Sequence, residues 1–133
     1  RSGLKAGARD CPDLIPTLAA VALIAPEESR FDNVGILRDK ESDRLQFIID
    51  ATRAAGGEAR LEDEILTITP ADHPGGTLSI ETKEDHRRAF CGSLYAALGW
   101  DEVVIDDIEC VSKSFPGYWR EIVKCGATLE ICS

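Results

Sequence analysis

The chain has 133 residues, of which 44% are hydrophobic and 29% charged; that is one domain's worth of sequence with an ordinary core-forming balance, and it excludes an intrinsically disordered polypeptide. Its 15 lysines and arginines against 24 aspartates and glutamates leave a formal charge of −9, the wrong sign for a general nucleic-acid binder. The longest nearly apolar stretch, Leu18 to Pro26, falls short of the roughly 20 residues that cross a bilayer.

Arg1 to Ala8 carries no start signal of a domain. From Leu14, the residues Leu14, Ile15, Leu18, Val21, Ala22 and Leu23 are apolar on nearly all sides, which predicts a helix buried all round, with Pro16 in its first turn and an end near Pro26. Ser29 to Val34 alternates as a short strand does, and Leu45, Ile48, Ile49 and Ala55 return at helical spacing up to Gly56-Gly57. Ala59 to Leu61 and Ile65 to Thr69 read as strands joined by the acidic turn Glu62-Asp63-Glu64, followed by a loop over Asp72 to Gly76 that includes His73. Then come a strand at Thr77 to Ile80, a helix over Arg87 to Leu98 and a strand at Val103 to Asp106. A helix over Phe115 to Cys125 with Pro116 in its first turn and a strand at Leu129 to Cys132 close the chain.

This order repeats. Asp10 and Asp85, each just ahead of a predicted helix, lie 75 residues apart, and Lys40 and Lys113, each at a strand-to-helix turn, lie 73 apart. The expected fold class is α/β, built from a strand-helix-strand-helix-strand-strand unit. Its copies fall at about 1–70 and 77–133, the second stopping before its final strand. The last strand should present an unpaired edge and favour dimerisation or strand exchange. A chain without methionine is expected to be a piece of a longer protein. The five cysteines are odd in number and contain no CxxC pair, so small buried thiols in a reducing, cytoplasmic setting are expected rather than zinc or disulfides. No secretory leader is recognisable.

Charge placement carries the functional signal. Arg38 to Arg44 opens the second helix, Asp85-His86-Arg87-Arg88 the third, and Lys113 precedes the fourth. Helix N-termini already bear partial positive charge, so added cations there are unfavourable unless an anionic ligand reverses the sign. For Lys40 and Arg44, at i and i+4, local ion pairs with the intervening acids and anion binding both remain open. Arg88 alone reads as a solvated surface charge, His86 as either a satisfied histidine or a proton carrier, Asp10 alone as a cap or loop residue, and Thr82 with Asp85 as a capping box. Neither GxxxxGK[ST] nor GxGxxG occurs.

Four ordered blocks, Asp10-Cys11-Pro12-Asp13, Leu37 to Arg44, Asp85 to Ala89 and Cys110 to Pro116, together resemble the EPSP synthases, a branch of the enolpyruvyl transferases, from about Asp10 to Gly126. The resemblance implies a cofactor-free and metal-free enzyme of two lobes, with this chain belonging to the C-terminal lobe and the N-terminal lobe as its missing partner. It implies transfer of the enolpyruvyl group of phosphoenolpyruvate to shikimate 3-phosphate. It assigns Asp10 and Glu41 to catalysis, Lys40 to the shikimate substrate, and Arg44, His86, Arg87 and Lys113 to the phosphoenolpyruvate carboxylate and phosphate. Ile36 stands where the family commonly has a polar substrate contact, Ser42 and Ser114 replace threonines, and Arg88-Ala89-Phe90 replaces a methionine-containing segment. The alternatives are transfer to UDP-N-acetylglucosamine, which the Lys40-Glu41-Ser42-Asp43-Arg44 block disfavours, and a non-catalytic anion-binding paralogue, which the two carboxylates disfavour.

Overall fold

The computed structural model describes residues 2–130. Strand β1 (Lys5–Gly7) leads through a 3-10 turn (Pro12–Leu14) into α1 (Ile15–Ala22), then β2 (Ser29–Asp32), a second 3-10 turn (Val34–Asp39) and α2 (Arg44–Ala54). The hairpin β3 (Glu58–Glu62) and β4 (Ile65–Thr69) follows, then β5 (Thr77–Ile80), α3 (His86–Ala97), β6 (Glu102–Ile105), a third 3-10 turn (Glu109–Lys113) and α4 (Tyr118–Lys124). The six-part unit predicted from the sequence is present once in full, from β1 to β4, and again over its first four parts, from β5 to α4.

The first unit forms a four-stranded sheet in the order β1-β2-β4-β3, and the second a two-stranded sheet of β5 and β6. In both, the first two strands pair in parallel across an intervening helix, Lys5 opposite Arg30 and Thr77 opposite Glu102, as the crossover geometry of parallel neighbours requires. The β3–β4 hairpin turns on Asp63 and Glu64, both at positive φ (48° and 63°), the type I′ geometry whose twist matches that of its strands.

Helix α1 is the centre of the molecule. Ile15, Ala19, Ala20, Ala22 and Leu23 are buried, and the three alanines let neighbours approach closely on several sides. A core of Phe31, Leu45, Ile48, Leu66 and Ile68 from the first unit continues into Leu78, Ile80, Cys91, Tyr95 and Trp100 of the second, so the two units share one interior. Two glycines permit close approaches: a Cβ on Gly57 would lie 2.4 Å from Leu23 Cδ2 and 2.9 Å from the Thr69 carbonyl oxygen, and one on Gly92 3.0 Å from Ile105 Cδ1. A smaller cluster of Ala89, Cys110 and Val111, flanked by Phe90, Tyr118 and Trp119, packs the third 3-10 turn against α3. No described helix is long and apolar enough to cross a membrane.

Several expectations are corrected. The opening strand that the six-part unit calls for is Lys5 to Gly7, inside the stretch without a start signal: it pairs with β2, and the backbone N–H of Ala8 donates to the Asp32 carbonyl at 2.8 Å. Helix α1 ends at Ala22, well before Pro26. Helix α4 begins at Tyr118, not Phe115, because Gly117 at φ 78° breaks the approach and leaves Pro116 outside. Leu129 and Glu130 are not in a strand; the remainder of the strand expected at Leu129 to Cys132 lies outside the described residues, as does Cys132. Of the other cysteines, Cys91 and Cys110 are buried thiols, Cys11 is half-buried and Cys125 is exposed.

Candidate functional site

The fold brings together two helix starts and one 3-10 turn from different parts of the chain. Asp43 caps α2, its carboxylate accepting from the Gln46 backbone N–H at 2.9 Å. Asp85 caps α3 and accepts from the Arg87 N–H at 2.9 Å, as a capping carboxylate at a positive helix end should. Thr82 does not form the expected capping box: its hydroxyl donates instead to Asp106 at 2.8 Å.

Arg44, the first residue of α2, is the hub. It is 1% exposed and reaches three carboxylates. Its Nε donates to Asp85 Oδ2 at 2.9 Å and its Nη2 to Asp85 Oδ1 at 3.1 Å; Nη1 donates to Asp13 at 2.9 Å, and Nη2 also to Glu41. Arg87, half-buried on the first turn of α3, approaches Asp13 Oδ2 at 3.7 Å. Its Nε is buried without a hydrogen-bond partner among the described residues, a donor left for something else to satisfy. Asp13 therefore stands between two arginines from different units.

Opposed effects set the charge states. Burial disfavours charge on Asp85, but the hydrogen bonds from Arg44, Ser42 and the Arg87 N–H, with the charge of Arg44, hold its carboxyl below the ordinary value. Burial likewise works against the Arg44 guanidinium, and the hydrogen bond and charge of Asp85, then Glu41 and Asp13, raise its pKa nonetheless. Asp85 is wholly buried, whereas the Asp13 and Glu41 side chains are 59% and 57% exposed. The network thus has a dry end, the buried pair of Asp85 and Arg44, and a wet end where Arg87 and the carboxylates of Asp13 and Glu41 face solvent.

The structure joins Glu41, Arg44 and Arg87 among the sequence-selected residues, with His86 next to Arg87 on α3, its ring 5.8 Å from that of Phe90 in an edge-on contact. Lys40 and Lys113 are exposed, and among the described residues neither is tied to the cluster by a side-chain hydrogen bond or ion pair. Asp10 is also exposed and makes no such link. Its carboxylate folds back over Gly7, and the carboxylate in the cluster is Asp13, one turn further on. Arg88 is corrected most. Far from being a solvated charge, it is 6% exposed and lies across the seam between the units.

The sequence matches the family described as EPSP synthase (3-phosphoshikimate 1-carboxyvinyltransferase) over residues 3–122. A 3-phosphoshikimate 1-carboxyvinyltransferase of Methanospirillum hungatei is 36% identical over 132 residues, covering 98% of this chain and 30% of the relative. The chain belongs to the EPSP synthase family. Among solved structures, EPSP synthase from Acinetobacter baumannii superposes with a TM-score of 0.75 at 27% identity, over 90% of this chain and 28% of that one. The enolpyruvyl transferase NikO from Streptomyces tendae shares the fold, with a TM-score of 0.68 at 19% identity over 96% of this chain and 28% of its own. The chain therefore spans about 30% of the length of the relatives it matches.

Within this EPSP synthase segment, sequence reasoning passed over Asp13, Asp85 as the partner of Arg44, and the buried pair Ser42 and Arg88. The signal for Asp13 was present. It precedes the buried helix directly at the 3-10 turn, so its side chain sits at that helix's start, whereas Asp10 lies a turn earlier in an exposed bend.

Proposed function

We propose that this chain is part of the C-terminal lobe of an enzyme that transfers the enolpyruvyl group of phosphoenolpyruvate to the 5-hydroxyl of shikimate 3-phosphate with release of phosphate, in the cytoplasm. The observation that carries the reading is the convergence of Arg44 and Arg87 with Glu41 and Asp13 at two helix starts, in a chain matched to this family over residues 3–122. Cations alone suit any anion; carboxylates among them suit an anion whose reaction also moves protons.

The reaction needs both. The acceptor oxygen bonds to C2 of phosphoenolpyruvate while C3 gains a proton and the hydroxyl loses one; then the C2–O bond to phosphate breaks and C3 returns a proton, restoring the double bond. Arg87, 40% exposed, suits the substrate carboxylate or phosphate directly, since a planar guanidinium pairs with either in bidentate fashion, and Arg44, buried behind Asp13 and Glu41, meets the anion where one of those carboxylates gives way to it. Glu41 and Asp13 suit proton transfer, each being exposed enough to meet substrate and oriented by a bond to Arg44. Lys40, His86 and Lys113 complete the anion-binding wall in this reading, and Asp10, exposed one turn before Asp13, keeps its expected catalytic role at the shikimate hydroxyls. The missing N-terminal lobe supplies the other wall, so the chain alone should be silent, because productive geometry requires both reactants held together.

The test is phosphate release by the product of the complete reading frame. Release from phosphoenolpyruvate that depends on shikimate 3-phosphate, and falls strongly in Glu41→Gln and Asp13→Asn, supports the reading. Release that depends instead on UDP-N-acetylglucosamine, or no release with either acceptor, overturns it.

A further inference from the structure

The seam between the two units holds a buried cation that the proposed chemistry does not use. Arg88 sends its Nε to Ser42 Oγ at 2.7 Å, its Nη1 to the Glu81 carbonyl and its Nη2 to the Asp43 carbonyl, both at 3.1 Å. Its guanidinium lies over the Phe47 ring, 4.9 Å from the centroid. Ser42 Oγ is also 2.7 Å from Asp85 Oδ2. The direction of these bonds is forced. Arginine has no acceptor, so Ser42 must accept from Arg88, and its single hydroxyl proton is then available only to Asp85. Asp85 accepts that hydrogen bond on the oxygen that also accepts from Arg44 Nε, while its other oxygen accepts from Arg44 Nη2 and the Arg87 N–H. Each oxygen of the carboxylate accepts two hydrogen bonds, and its orientation has no freedom left.

We propose that Arg88 is a positioning residue: by fixing the Ser42 hydroxyl it locks Asp85, and through Asp85 it sets Arg44, with the Asp13 and Glu41 carboxylates that Arg44 holds, and the first turn of α3, from which Arg87 faces the substrate anion. The proposal rests on the functional reading above. The chain of contacts runs Arg88, Ser42, Asp85, Arg44, and the last holds the exposed carboxylates Asp13 and Glu41 on the open side of the cluster. Arg88 approaches from α3 and Ser42 from the segment ahead of α2, so the device also keeps the two helix starts in register. The buried guanidinium is held by two backbone carbonyls and an aromatic face, an anchorage that does not depend on substrate.

The proposal is tested by steady-state kinetics of the complete protein with Arg88→Met, Ser42→Ala, the double variant and Ser42→Thr. Each disruptive single variant should raise KM for phosphoenolpyruvate about tenfold with kcat within about twofold, and the double variant should be no worse than either single, because both act along one path. Ser42→Thr, which keeps the hydroxyl, should retain the wild-type KM. The proposal is overturned if the two effects multiply, if KM does not move, or if only the melting temperature falls. Should Arg88→Met fail to fold, Ser42→Ala against Ser42→Thr still decides, since loss of the hydroxyl alone must raise KM. A wild type that turns over no substrate defeats the functional reading itself, whereas an active wild type with unmoved variants defeats only the positioning role.

Discussion

Replacing Asp85 by asparagine removes the single negative charge at the dry end of the Arg44 network and nothing of comparable size. Arg44 is 1% exposed and Asp85 0%, so the variant leaves a buried guanidinium facing a neutral amide that can offer one oxygen where the carboxylate offered two. The remaining partners, Asp13 and Glu41, are more than half exposed, and ion pairs with such groups contribute about 0–1 kcal/mol each. Breaking a buried pair from one side costs about 3–5 kcal/mol, a large share of the roughly 5–15 kcal/mol that holds a domain together. With a urea slope of about 1–2 kcal/mol/M for a chain of this size, the midpoint should fall by about 2–3 M. The assay is urea unfolding followed by tryptophan fluorescence, since Trp100 is 3% exposed in the core. Asp13→Asn and Glu41→Gln serve as comparisons and should each shift stability by less than about 1 kcal/mol. A loss below about 1 kcal/mol for Asp85→Asn, or equal losses for all three, would refute the distinction between a dry and a wet end.

Acid should unfold the wild type through the same carboxylate. The depressed pKa of Asp85 contributes stability present above its ordinary value of 3.8 and lost as pH falls through the lower folded value, so Asp85→Asn should flatten the acid limb of a pH-dependent melting profile. Alkali acts in the opposite direction on Cys91, whose buried thiol is pushed up to about 12 from 9.0. Its contribution is intact below 9.0 and is lost as pH rises toward 12, on the order of 4 kcal/mol in all. Cys91→Ala should abolish the part of the alkaline decline that begins near pH 9 and leave that of Tyr95, which burial also raises. In the β3–β4 turn, Glu64 at φ 63° occupies a conformation that favours glycine, and Glu64→Gly should raise stability by about 1 kcal/mol, read as a melting-temperature increase of a few degrees.

The elements most visible in the sequence were those with local cause. Helix α2 announces itself by apolar spacing and the Gly56-Gly57 stop, and the β3–β4 hairpin by its acidic turn. Strand β1 was invisible because Lys5-Ala6-Gly7 has neither alternation nor bulk; it is a strand only because β2, some 25 residues away, offers its edge. The 3-10 turns at Val34–Asp39 and Glu109–Lys113 are too short to show a period. At the site, the charges at helix starts were legible, but their partners were not. Arg88 looks solvated when judged by its neighbours in sequence, and becomes a core residue through Ser42 and Phe47, more than forty positions away. Arg44 looked free to choose between ligand and local acids; Asp85, 41 residues on, had already taken its Nε edge.

The loop from Asp72 to Gly76 is the natural place to cut this molecule in two, and the network across the seam determines what such a cut produces. Each fragment would carry one side of a charge set whose other side lies in its partner: Arg44 and Ser42 in the first, Asp85 and Arg88 in the second. The first half would keep only the exposed Asp13 and Glu41 for Arg44, and the second would hold Asp85 with no arginine on its carboxylate, so each should fold poorly alone. Mixed together, however, the halves should recover one another by complementation, with the opposed charges selecting the correct pairing over self-association.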